Sequence, residues 1–152
     1  MQPIGVMLIP KRILVPIDFS PNAEHALDYA IALAEKLDAT IQVLHVVGIP
    51  SFGVPELGVA IASATIDGIV RDSQAALDKL VASREGKAGF DAPMLRTGDA
   101  REVIVQTVKE AGADLIVMGT HGRRGLSRAL LGSVAEMVVR TSPVPVLTIR
   151  GR

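Results

Sequence analysis

The sequence predicts an α/β fold: one doubly wound, five-stranded parallel sheet with helices on both faces. Three observations carry that prediction. Short β-branched runs alternate with longer amphipathic stretches in the order β-α-β-α-β-α-β-α-β. The short runs are apolar throughout rather than at every second residue, which suits strands covered on both sides, and the intervening helices make their pairing parallel. No repeat or linker divides the 152 residues, a length suited to one core, so residues 1–152 are expected to form a single domain.

The elements follow in order. Arg12 to Asp18 (RILVPID) is a compact apolar run that ends in an acid. Ser20 then occupies an N-cap position, with Pro21 at the first helical residue, where its missing N–H costs nothing. Ala23, Ala26, Leu27, Ala30, Ile31, Ala34 and Leu37 recur at helical spacing. Thr40 to Val47 (TIQVLHVV) reads as a second buried strand. Gly48 to about Ala62 is rich in Gly and Pro and reads as a long loop, apolar enough to pack on something or cover a site. A second helix is expected from about Ser63 to Arg84, with Ile66, Ile69, Val70, Ser73, Leu77, Leu80 and Val81 on one face. The third strand, about Ala92 to Thr97, has the weakest pattern. Asp99 and Glu102 form an Asp-x-x-Glu capping pattern before a helix bearing Val103, Ile104, Val108 and Ala111. Asp114 to Gly119 is the fourth strand and Ser133 to Arg140 a short helix stopped by Pro143. Val144 to Arg150 is the closing strand.

Composition excludes several classes. Sixteen basic and sixteen acidic residues cancel, leaving no global pull on nucleic acid or anionic membranes. The four aromatics, Phe19, Tyr29, Phe52 and Phe90, are scattered, which disfavours a base-stacking platform. No apolar run reaches the roughly 18 residues of a membrane span, and no basic residue precedes the short patch Ile4 to Ile9, unlike a signal peptide. Neither a nucleic-acid nor a membrane partner is expected. The absence of cysteine removes disulfides, thiolate metal sites and cysteine nucleophiles, and it fits a cytoplasmic location. His25 on a helix, His45 in a strand and His121 in a loop are too dispersed for a metal site.

In such sheets ligands bind beyond the carboxyl ends of the strands, where the winding reverses, which directs attention to Asp18, Val46, Gly98 and Gly119. After the fourth strand the chain reads Gly119-Thr-His-Gly122, nine residues, then Gly132-Ser133. This is neither a Walker A loop, which needs a Lys before its Ser or Thr, nor Gly-x-Gly-x-x-Gly. The parts of a phosphate cradle are nevertheless present. Gly119 and Gly122 let backbone N–H groups approach an anion. Gly132-Ser133 opens a helix whose free N–H groups and positive dipole end favour phosphate. His121, Arg123, Arg124 and Arg128 add local positive potential. Two residues carry a second reading. Ser133 with Glu136 also forms a Ser-x-x-Glu capping box, and Asp18 also suits an acid that organises the turn before Phe-Ser-Pro.

Together these residues resemble the universal stress protein family. Its nucleotide motif, Gly-x2-Gly-x9-Gly-[Ser/Thr], is met by Gly119, Gly122, Gly132 and Ser133. KRILVPIDFS, VLHVV and SPVPVLTIR are similar to the family's first, second and closing strands. The resemblance implies strand order 3-2-1-4-5, with ATP at the reversal between strands one and four. Any Mg2+ would come with the triphosphate, held mostly by its oxygens. By position, Asp18 would contact the nucleoside, Pro16 and Ile17 would line its pocket, and Val46 would offer its backbone to the adenine edge. Gly119, Gly122, Gly132, Ser133 and the Val134 amide would hold ribose and phosphates, with His121 and Arg123 beside them. A homodimer through the last strands is also implied. Independently, that order leaves apolar Val144 to Ile149 at a sheet edge, with Pro145 blocking one ladder position.

The function expected is an ATP-dependent sensor or regulator in stress response, with at most slow hydrolysis. Efficient phosphoryl transfer needs a positioned base and usually a metal-holding acid. Asp114 starts its strand at the wrong end of the sheet and only His121 remains plausible, so no catalytic residue is assigned. A slow ATPase or phosphotransferase, and a dimeric scaffold with an empty cleft, are the alternatives. A signalling receiver fails, because a single acid ends strand one and the closing strand has no Lys.

Overall fold

The computed structural model describes residues 8–49, 57–121 and 131–151, with side chains in the second segment described from residue 63 onward. In chain order the elements are β1 (Arg12–Pro16), α1 (Pro21–Leu37), β2 (Thr40–Val47), α2 (Leu57–Ala82), β3 (Gly89–Phe90) and β4 (Met94–Thr97). There follow α3 (Ala100–Ala111), β5 (Leu115–Gly119), α4 (Ser133–Thr141) and β6 (Val146–Ile149). Every strand pair is parallel, in the order β3-β2-β1-β5-β6, and β4 also pairs with β2. This is the doubly wound sheet the sequence predicts, with its winding reversed between β1 and β5.

Alternation along each strand feeds two cores. Ile13 and Val15 of β1, Ile41 and Val43 of β2, and Val117 of β5 face α1 and α2, meeting Leu27, Ile31 and Leu77. Leu14, Leu44, Ile116 and Met118 point the other way, onto Ile104 and Val108 of α3 and Val138 of α4. Ser20 caps α1, its Oγ accepting the Ala23 N–H at 3.1 Å, and Asp38 closes that helix with a left-handed φ of 52°. Asp99 caps α3 by accepting the Arg101 N–H at 2.9 Å.

Three expectations are corrected. The third strand is two short pieces, β3 and β4, rather than one run from Ala92. Pro93 lies in the gap, with no N–H to give the ladder. Buried Gln42 satisfies the stranded Ala92 carbonyl there, its Nε2 donating at 2.6 Å. Secondly, α2 begins at Leu57, inside the segment read as loop, where no proline stands between Pro55 and Pro93 to oppose helix. Lastly, Ile69 is 39% exposed instead of inward-facing. It sits at the rim of the α2 stripe, whose buried residues, Leu77, Leu80 and Val81, lie in the last turns.

The ends of three strands are also trimmed. Ile17 follows β1 yet still donates its N–H to the Leu44 carbonyl at 2.7 Å. Asp114 precedes β5, and β6 starts just after Pro145, whose carbonyl still accepts the Ile116 N–H at 3.0 Å. Among the described residues no helix is long and apolar enough to cross a membrane.

Candidate functional site

A cleft of about 540 Å³ opens at the carboxyl ends of β1, β2 and β5, within the roughly 300–1,000 Å³ usual for small-molecule sites. It lies where the winding reverses. Pro16, Ile17 and Asp18 form one wall, Val46 borders it from β2, and Gly119 and His121 come from the end of β5. Gly132, Ser133 and Val134 bring the start of α4 to the same space. Gly122 and Arg123, like Arg124 and Arg128, lie outside the described residues. Gly98 is not among the lining residues. Its φ of 138° and its N–H bond to the Val47 carbonyl at 3.0 Å make it a backbone turn at the sheet edge.

The turn after β1 is held from two sides. The Ile17 carbonyl accepts a hydrogen bond from His45 Nδ1 at 2.6 Å. A carbonyl only accepts, so this imidazole carries its proton on Nδ1. The Phe19 ring tilts against His45 with centroids 4.6 Å apart, and Phe19 itself has a left-handed φ of 62°. Such a conformation is costly for a bulky residue and persists only when its surroundings hold it. Asp18 Oδ1 accepts the Ser20 N–H at 3.0 Å. The turn-organising role of Asp18 is thus present, in a residue that also lines the cleft.

The glycine segment leaves β5 and returns at a narrow neck. Thr120 donates its N–H to the Ile149 carbonyl at 3.0 Å, and its own carbonyl accepts the Gly132 N–H at 2.7 Å. A Cβ on Gly132 would stand 3.1 Å from that carbonyl oxygen, so the two backbones approach closely enough that a side chain there would press on Thr120. The capping-box reading of Ser133 is corrected. Gly132 is the N-cap, with ψ 160° and no side-chain cap bond, and Ser133 is already the first helical residue. Glu136 instead pairs with Arg140 at 2.8 Å. One residue of offset decides this, since a capping side chain works only from extended backbone outside the helix.

Three buried side-chain atoms near the neck, Asn22 Oδ1, Thr120 Oγ1 and His121 Nδ1, have no hydrogen-bond partner among the described residues. An unmet buried polar atom costs about 1–3 kcal/mol, and Thr120 and His121 both line the cleft. A small polar ligand there would relieve them. The apolar floor is one that sequence reasoning missed: Leu44, Met118, Ala100 and Ile104 line the cleft. Ala100 directly follows the Asp99 cap, so a strand end leading into a helix start was its available signal. No group of three or more His, Cys, Asp or Glu among the described residues is arranged to hold a metal.

Sheet order, reversal cleft and glycine neck define a doubly wound α/β protein with a cleft of small-molecule size at its topological switch point. Residues 10–150 match the model of the universal stress protein family, and the chain belongs to that family. It is 36% identical over 143 residues to universal stress protein MJ0531 of Methanocaldococcus jannaschii, spanning 92% of this chain and 82% of that protein. The solved structure of MJ0577 from the same organism superposes with a TM-score of 0.81 at 29% identity, covering 95% of this chain and 99% of that one. An Arabidopsis thaliana universal stress protein with AMP bound shares the fold, with a TM-score of 0.61 at 24% identity over 94% of this chain and 93% of that one.

Proposed function

We propose that this universal stress protein acts as a single-domain ATP receptor, a nucleotide-dependent regulator in stress response with at most slow hydrolysis. The observation that carries this reading is that α4 opens into the reversal cleft without a side-chain cap. Free N–H groups and the positive end of a helix dipole are an anion site. On this reading the Ser133 hydroxyl and the Ser133 and Val134 amides face the phosphates, with Gly122, His121 and Arg123 contributing from the loop. Asp18 and the Val46 backbone take the nucleoside, and Ile104 and Met118 floor the adenine. The triphosphate brings any Mg2+ with it. AMP in the Arabidopsis relative is a property of that protein, on a fold that this chain shares.

An efficient enzyme is disfavoured by the same geometry. Among the described lining residues Asp18 is the one carboxylate, and it is engaged with the Ser20 N–H. Phosphoryl transfer wants a base and a metal-holding acid near the γ-phosphate. We further propose dimerisation through β6. It is a half-buried, mostly apolar strand at the end of the sheet, with one neighbour, β5, among the described strands.

Isothermal titration with Mg-ATP, for wild type and Gly122→Val, tests the reading. Binding by wild type that is lost in the variant is the expected result. Absence of heat in wild type would favour an empty-cleft scaffold. Phosphate release faster than about 1 s⁻¹ would favour the enzyme.

A further inference from the structure

We propose that Asn22 is the positioning residue of the glycine neck. From the first turn of α1 it clasps the neck at His121 and sets where the Gly132 and Ser133 amides stand against the cleft. Its Nδ2 donates to the His121 carbonyl, at the point where the chain leaves β5 for the loop. A carbonyl only accepts, so the amide group must face it with nitrogen, which fixes the orientation of the side chain.

The side chain lies in a notch between two glycines. A Cβ on Gly119 would stand 2.6 Å from Asn22 Nδ2, and one on Gly151 would stand 2.7 Å from Asn22 Oδ1. Neither glycine is among those with a positive φ, which are Gly86, Gly98 and Gly112. No positive φ requires glycine at these two positions; a side chain at either would have to displace the Asn22 amide, and one at Gly119 would also stand 3.3 Å from the Asn22 carbonyl oxygen. The first motif glycine thus serves the protein's own clasp. Nor is Asn22 needed to cap α1, because Ser20 already accepts the Ala23 N–H at 3.1 Å. Beside the clasp, the Gly132 N–H bond to the Thr120 carbonyl at 2.7 Å ties the returning backbone to the departing one. Asn22 and Gly132 close the neck together.

The effect on nucleotide rests on the function proposed above; the clasp itself does not. The test uses Asn22→Ala and Asn22→Asp. The second keeps the shape and an acid suits a helix start, but it lacks the donor. Trypsin cleavage at Arg123, Arg124 or Arg128 and hydrogen exchange of the Gly132 amide report the neck without any ligand. Both should speed up by about three- to tenfold, the range of one lost hydrogen bond. Gly119→Ala should do the same, and the Asn22→Ala/Gly119→Ala double variant should be no faster than either single one. In the two Asn22 variants ATP affinity should fall by a similar factor while adenosine affinity stays constant. Cleavage and exchange at wild-type rates in both Asn22 variants, or multiplying effects in the double variant, would overturn the clasp. A faster neck with unchanged ATP affinity would overturn the positioning role. A wild type that binds no nucleotide would instead sink the functional reading, and the exchange data would still decide the clasp.

Discussion

At the amino end of the sheet the Asp114 carboxylate accepts the Lys11 and Arg12 N–H groups at 2.9 and 3.0 Å, and Arg12 reaches the Ala111 carbonyl at 2.7 Å. At the carboxyl end Thr120 Oγ1 and His121 Nδ1 are buried without a partner among the described residues, and α4 starts with no side-chain cap. The same strands run between these two ends, so the difference is one of finishing. One end spends its polar groups on itself. The other keeps hydrogen-bonding capacity unmet, at a cost to stability that a bound anion and its sugar would repay.

If that contrast is right, substitutions should separate stability from binding according to the end they touch. The largest effect is expected at Ile104, which is 2% exposed and also floors the cleft. Ile104→Ala should cost about 2–5 kcal/mol in urea unfolding and weaken ATP binding as well, because core and cleft share that side chain. Asp114→Ala should cost about 1–2 kcal/mol by freeing two backbone donors, with ATP affinity within about twofold of wild type. Ser133→Ala should reverse the pattern. It makes no cap bond, so stability should move by less than about 0.5 kcal/mol, while ATP affinity falls by about three- to tenfold.

The smallest effect concerns pH at the α3 cap, outside both ends. The Arg101 side chain, and then its backbone N–H, hold the Asp99 carboxyl below its ordinary value. A depressed folded value means the contribution is present above the ordinary Asp range near ~3.9 and is lost as pH falls through the folded value. The difference in urea midpoint between wild type and Asp99→Asn should therefore narrow on acidification from neutral pH. A gap that stays constant would contradict that assignment.

What was legible in the sequence was what depends on neighbours along the chain. The apolar runs of β1 and β2, the Ser20 and Asp99 caps and the stop of α4 ahead of Pro143 are local choices, and each falls where its residues dictate. The motif residues Gly119, Gly132 and Ser133 gather at the reversal cleft, since spacing plus topology suffices to bring them there. Contacts across the fold were not legible. His45 holding the Ile17 carbonyl and Asn22 seated against Gly119 and Gly151 depend on register between distant segments. Ser133 shows the limit of local patterns. Ser-x-x-Glu reads as a capping box wherever it occurs, but the chain turns helical one residue too early for the box to form. Likewise the broken edge strand needed Gln42, on the neighbouring strand, to satisfy the Ala92 carbonyl.

The most direct measurement is a titration of isotopically labelled protein with Mg-ATP, followed through its backbone amide resonances. The amides of Asp18, Gly119, Ser133 and Val134 are expected to shift in a saturable way while those of Lys11, Arg12 and Asp114 stay in place. Shifts spread equally over both ends of the sheet, or none at the start of α4, would contradict binding at the cleft.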